Sequence, residues 1–159
     1  MNLLETKILE TKIPPPIVGL LFALIIWLIS TLTAPVSIFN QQQGLVAAVI
    51  LFAVGFGFAI SGAISFRVAK TTVNPLQPET ASSLVTSGVF KYSRNPMYVG
   101  LAIILLAWTT YLAAPLGLLA VVGFIAYIQR FQIVPEERAL VVLFGNEFER
   151  YQSKVRRWL

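Results

Sequence analysis

The chain contains no cysteine and no histidine. Disulfides are thereby excluded, and so are thiolate catalysis, histidine base chemistry and His/Cys metal sites. No metal centre is expected, and with no cysteines there is no signal of redox compartment. Charge is also scarce. Only 12% of the residues are charged, against about 25% in soluble domains. Residues 13–66 and 95–129 carry no charge at all. What remains is apolar: 57% of the 159 residues are hydrophobic and the mean hydropathy is +0.77. This is the composition of a membrane protein. The length allows one integral-membrane domain, with no room for a separate soluble Rossmann unit, so any active site is built from the membrane helices and their flanks. Its chemistry falls to Arg, Lys, Glu, Tyr, Asn, Ser, Thr and backbone groups.

A helix needs about 20 apolar residues to cross the hydrocarbon core. The first charge-free block accommodates two spans, Ile17–Thr33 and Leu45–Phe66, joined by the turn-rich APVSIFNQQQG. The second accommodates a tight helical hairpin, Met97–Leu112 and Leu116–Phe131, joined at AAPLG. The twelve Lys and Arg residues all lie before span one, between spans two and three, or from the last residues of span four onward. By the positive-inside rule those segments are cytoplasmic. The net charge of +5 is therefore read as orientation and not as nucleic-acid binding. The fold class expected is all-α: a polytopic membrane bundle of four transmembrane helices with both termini cytoplasmic, followed by C-terminal amphipathic helices.

The flanks carry further expectations. The N-terminus lacks the pattern of a signal peptide, having Glu5 and Glu10 where a basic region belongs. LLETKILETKI reads as a short interfacial helix stopped by the prolines at 14–16. TTVNPLQPETASSLVTSG reads as a long loop. Pro135 suits the first turn of a new helix, with Glu136 and Glu137 favouring its dipole. Gly145 reads as a helix stop. Beyond it, Phe148, Tyr151, Val155 and Trp158 recur at near-helical spacing, which suits a helix lying on the membrane surface. In span two, Gly55, Gly57, Ser61 and Gly62 allow close helix approach.

Two short stretches have the residue types for chemistry. In YSRNPMYVG (Tyr92–Gly100), Asn95 can cap a helix and Pro96 can begin it. With Arg94 and Lys91 alongside, that helix start is a place for an anion; equally, it is a capped start with an arginine snorkelling to the head groups. In PEER (Pro135–Arg138), adjacent glutamates point about 100° apart on a helix, so they grip two parts of one ligand, or one of them pairs with an arginine. The hairpin brings both stretches to the same membrane side. A cationic rim then faces an anionic one, which suits a zwitterionic ligand.

The run SGVFKYSRNPMYVG, followed by PEERALVVLFGNEFERYQSKVRRWL, resembles the isoprenylcysteine carboxyl methyltransferases and the related phospholipid methyltransferases, especially their short prokaryotic members. The resemblance rests on Gly88, Phe90, Arg94, Pro96, Tyr98 and Gly100, then on Glu136, Glu137, Leu140, Phe144, Gly145, Phe148 and Tyr151. It covers residues 88–159, the half expected to bind the cofactor; the N-terminal half, 1–66, is similar only in having two spans. It implies S-adenosylmethionine as methyl donor, bound at the cytoplasmic side by Lys91, Tyr92, Arg94, Asn95, Pro96, Tyr98, Glu136 and Glu137. Arg94 and Asn95 would face the methionyl end, Glu136 or Glu137 the ribose or the ammonium, and Tyr98 would pack on the cofactor; the reverse order of ends is open. Arg94, Asn95 and Glu137 are the residues expected to serve catalysis. The family's histidine is replaced by Asn95, which cannot act as acid or base near neutral pH. A carboxylate acceptor needs no base, whereas an amine needs Glu136, Glu137 or water to take its proton. The acceptor implied is lipophilic, either isoprenylcysteine-like or a phospholipid amine, in a bacterial plasma membrane. A non-catalytic membrane partner is the rival reading. A transporter is disfavoured, because no predicted span carries a charge away from its ends.

Overall fold

The computed structural model describes residues 12–36, 40–69 and 82–159. Among them it is all helical. Helix α1 is Pro15–Leu32, α2 is Gln41–Val68 and α3 is Pro96–Tyr111; α4 is Gly117–Ile128, α5 Val134–Phe144 and α6 Asn146–Lys154. A 3-10 turn, Gly88–Lys91, precedes α3. A π-helical turn, Gln129–Ile133, joins α4 to α5 without a break, so Gly117–Phe144 is one helical run of 28 residues. That run, α1 and α2 are long and apolar enough to cross a membrane. Helix α3, with 16 residues, rises about 24 Å and is the short member of the four.

The helix starts differ from expectation for local reasons. The prolines at 14–16 do not merely stop a preceding segment: Pro14 caps α1 and Pro15 lies in its first turn, where the missing N–H costs nothing. The expected turn before span two is shorter by the QQQG residues. Asn40 accepts from Gln43 N at 2.9 Å, and the Gln43 side chain accepts from Asn40 N at 3.2 Å. This capping box draws Gln41–Gly44 into α2. At the same membrane end, Val36 N donates to Ala113 O at 3.0 Å, tying the two turns together. The LETK stretch and most of the Thr/Pro-rich loop lie outside the described residues.

Two apolar clusters hold the fold. Val18, Ile26, Tyr98, Leu105, Phe124, Ile128 and Ile133 pack α1, α3 and α4 into one core, and the Trp108 indole donates to Ala23 O at 3.1 Å across α3 and α1. Helix α2 joins through α3 on a face of small residues: Ala48, Gly55 and Gly62 are buried. Backbone meets backbone there. A Cβ on Gly55 would lie 2.7 Å from Gly100 O, and one on Gly100 would lie 2.5 Å from Gly55 O. Gly57 and Ser61 are exposed and take no part in this contact. The outward faces carry Leu20, Leu24, Phe52, Phe56 and Ile60, as lipid-facing surfaces do.

The second cluster joins Val85, Phe90, Phe148 and Tyr151. It corrects the reading of the C-terminal helix. The apolar face of α6 packs on the protein and is not available to a membrane surface. The helix also ends at Lys154, so Val155 and Trp158 belong to an extended tail. Gly145 does stop α5, with φ +46° in a region that favours glycine.

Gly100→Val is expected to destabilise the bundle by about 1–3 kcal/mol through overpacking at the α2–α3 crossing, read as a lower thermal midpoint in detergent. Gly57→Ala, with nothing within 4 Å of the added Cβ, leaves the midpoint unchanged. Equal effects would refute the backbone-contact account of this crossing.

Candidate functional site

The start of α3 and the junction of α4 with α5 meet at one end of the bundle. Pro96 opens α3 and is buried, so the chain enters the helix at a fixed angle and Arg94 turns back toward α5. Arg94 Nη2 donates to Glu137 Oε1 at 2.7 Å. The Arg94 and Glu137 side chains are only 11% and 12% exposed. A third partner comes from the tail: Arg157 reaches Glu137 with Nε to Oε1 at 3.1 Å and Nη2 to Oε2 at 2.6 Å. This side-on fork is the strong geometry for a carboxylate. It raises the Arg157 pKa, the hydrogen bond to Glu137 being the main cause.

Glu136 faces elsewhere, as the angle between adjacent helical residues requires. Its Oε1 accepts from the Tyr98 hydroxyl at 2.5 Å, and Tyr98 belongs to the α1–α3–α4 core. The two glutamates are thus divided. Glu137 is bound to two cations. Glu136 is bound to a neutral hydroxyl, and no ion pair engages it among the described residues.

Asn95 stands at the capping position of α3, but its side chain makes no capping bond. Its Nδ2 donates to Arg157 O at 2.9 Å instead, and its backbone N donates to Ser93 Oγ at 3.1 Å. The tail has drawn the amide away from the helix. Lys91 and Tyr92 are exposed at the 3-10 turn and make none of the cluster's hydrogen bonds. The cluster therefore unites Arg94, Asn95, Tyr98, Glu136 and Glu137 of the residues singled out in the sequence, with Pro96 beneath them.

Two residues were not foreseen. Arg157 was grouped with the orienting basic residues, and a charge in a terminal RRWL run gives no signal of an inward partner. Gln132 lies in the π turn and is fully buried; its Nε2 donates to Ile13 O at 2.7 Å and ties that turn to the start of α1. The turn also explains Pro135. A separate helix was expected to begin there. Instead Val134 N bonds Gln129 O with π spacing, and the run continues through the proline. Pro135 sits in the first turn after the bulge, where its missing N–H is tolerated.

Arg94 Nε is buried and has no hydrogen-bond partner among the described residues. Gln132 Oε1 in the π turn is likewise buried without a partner, and the two are exceptions to the rule that buried polar groups are satisfied.

Glu137→Ala leaves the buried Arg94 guanidinium without its counter-charge and facing the partly exposed Arg157. A loss of about 3–5 kcal/mol is expected, measured by thermal unfolding in detergent. Adding Arg94→Ala recovers part of that loss, with a coupling of about 1–3 kcal/mol. Strict additivity would mean that the pair is not one unit.

The chain has been compared with known proteins. It is 52% identical over 63 residues to an uncharacterised protein of Haemophilus influenzae, a stretch covering 40% of this chain and 100% of that protein. No solved structure matches it. The family model of the phospholipid methyltransferases matches residues 44–147. That range takes in α2 as well as the hairpin and the glutamate pair, so the family likeness begins earlier than residue 88. The apolar helices and this match, which covers well over half the chain, agree: the protein belongs to the phospholipid methyltransferase family of membrane methyltransferases.

Proposed function

We propose that the protein transfers a methyl group from S-adenosylmethionine to a lipophilic acceptor at the cytoplasmic face of a bacterial plasma membrane. The observation that carries this reading is the convergence of Arg94, Tyr98, Glu136 and Glu137 from the two ends of one hairpin, in a member of a methyltransferase family.

The residues fit that cofactor. S-adenosylmethionine has a carboxylate, an ammonium, ribose hydroxyls and, when bound, supplies an electrophilic methyl group on a sulfonium. The free Nε edge of Arg94 suits the carboxylate. Glu137 has three of about four acceptor positions filled, which leaves one for a hydroxyl. Two cations already neutralise it, so Glu137 is a poor choice for a further cation. Glu136 is the carboxylate with capacity for one.

That asymmetry also bears on the acceptor. A carboxylate acceptor brought beside Glu136 finds no counter-charge there among the described residues, because a buried carboxyl without a cationic partner takes up a proton and offers a carboxylate nothing to pair with. An ammonium favours the ionised form of Glu136 and pairs with it. An amine-bearing phospholipid is therefore favoured over an isoprenylcysteine-like carboxylate. Methyl transfer to such an amine requires the nitrogen to lose one proton, and Glu136 is the group we assign to receive it, because Asn95 cannot. The chain's other contribution is to orient cofactor and acceptor in line and to exclude water.

Isothermal calorimetry on the detergent-purified protein tests the cofactor. Micromolar binding of S-adenosylmethionine is expected, weakened about tenfold or more in Arg94→Ala, where a charge-assisted contact is lost. Methylation of phosphatidylethanolamine in vesicles is expected to exceed that of a farnesylcysteine analogue, and Glu136→Gln to lower turnover more than cofactor affinity. No binding by a folded protein would end the enzyme reading in favour of a non-catalytic membrane partner. Preference for the farnesylcysteine analogue would reverse the choice of acceptor.

A further inference from the structure

The family match ends at residue 147, yet the residues after it supply most of the cluster's partners. Arg94 Nη1 donates to Gln152 O at 3.1 Å and to Val155 O at 2.7 Å. Arg94 N donates to Arg156 O at 3.0 Å, and Asn95 Nδ2 to Arg157 O. The Arg157 side chain then folds onto Glu137. One residue on, the Trp158 indole donates to Gln129 Oε1 at 3.0 Å. The tail thus runs from α6, across the start of α3, to the π turn. Its root is anchored by Tyr151, whose hydroxyl donates to Phe90 O at 2.7 Å.

We propose that Arg157 is a positioning residue of the site, and that Gln152–Trp158 is a strap it latches over Arg94 and Glu137. The proposal rests on the cofactor reading above and extends it to this segment. Three features support it. First, the strap decides which edge of Arg94 is free. Its carbonyls take Nη1 and Glu137 takes Nη2, so Nε alone is left unpaired. Second, Arg157 is surplus to a structural pair. Arg94 and Glu137 already balance in charge, and a second guanidinium leaves the Arg94–Glu137–Arg157 triad at +1, which draws in an anionic group. Third, the latch lies outside what it holds. The Arg157 side chain is 34% exposed, against 12% for Glu137. A ligand from the cytoplasm reaches Arg94 and Glu137 with the strap released and is retained with it closed.

The test uses the full chain in detergent and S-adenosylmethionine as probe, with trypsin cleavage after the exposed Lys154 followed by mass spectrometry. Without ligand, Arg157→Ala is expected to speed this cleavage about tenfold by removing the charge-assisted fork. With ligand, the wild type gains protection and Arg157→Ala gains little, its affinity falling by a similar factor through faster release. Arg157→Lys keeps the charge but not the fork and is expected to fall between the two, which also covers the case in which the alanine variant folds poorly. Cleavage and affinity unchanged in both variants would overturn the latch. If the wild type binds no cofactor while Arg157→Ala still speeds cleavage, the latch stands and the cofactor reading falls.

Discussion

A carboxylate held by two guanidinium groups, largely out of water, is the constraint on which this end of the molecule depends. Glu137 joins three separate parts of the chain: the segment before α3, the helical run after the π turn, and the C-terminal tail. None of these can move independently without uncovering a charge. A buried ion pair is weak evidence for net stability, because desolvation offsets the Coulomb gain. It is strong evidence for a fixed arrangement, because every alternative leaves one member unpaired. What the triad secures is therefore position: the free edge of Arg94 and the direction of Glu136 both follow from it.

That position also depends on the helical run from Gly117 to Phe144 being unbroken. The π turn carries one extra residue per turn and rotates everything beyond it relative to α4. Glu136 then meets Tyr98 on the inner side while Glu137 meets arginines on the outer side. Gln132, sealed in the turn and bound to the backbone of Ile13, fixes the bulge against the start of α1. The close crossing of α2 and α3 at Gly55 and Gly100 sets the other side of α3 and hence the height at which Arg94 stands.

The apolar helices and their order were legible in the sequence, because charge-free length reports directly on them. Most of the hydrogen-bonded cluster was legible too, since RNPMY and PEER are short and local. Three features were not, each for its own reason. Continuity through Pro135 depends on a π turn that no residue pattern announces; by itself the proline reads as a helix start. The buried face of α6 has the periodicity of a surface helix, and periodicity does not say whether lipid or Phe90 covers it. Arg157 sits among basic residues that the sequence reads together as a marker of orientation, and that shared explanation conceals an arginine that folds onto Glu137.

The division of labour between the adjacent glutamates follows from the same geometry. Each carboxylate accepts hydrogen bonds, but the electrostatic work available from each differs. Glu137 has its charge balanced by Arg94 and exceeded once Arg157 is counted, so a further cation there is repelled. Glu136 has no counter-charge of its own, only the Tyr98 hydroxyl, and the apolar core on that side strengthens any pairing it makes. In a protein without histidine or cysteine, that carboxylate is the group we propose as the proton acceptor. The chemistry proposed for this protein thus reduces to an asymmetry that one helical step creates: the outward glutamate builds the site, and the inward one is left free to act in it.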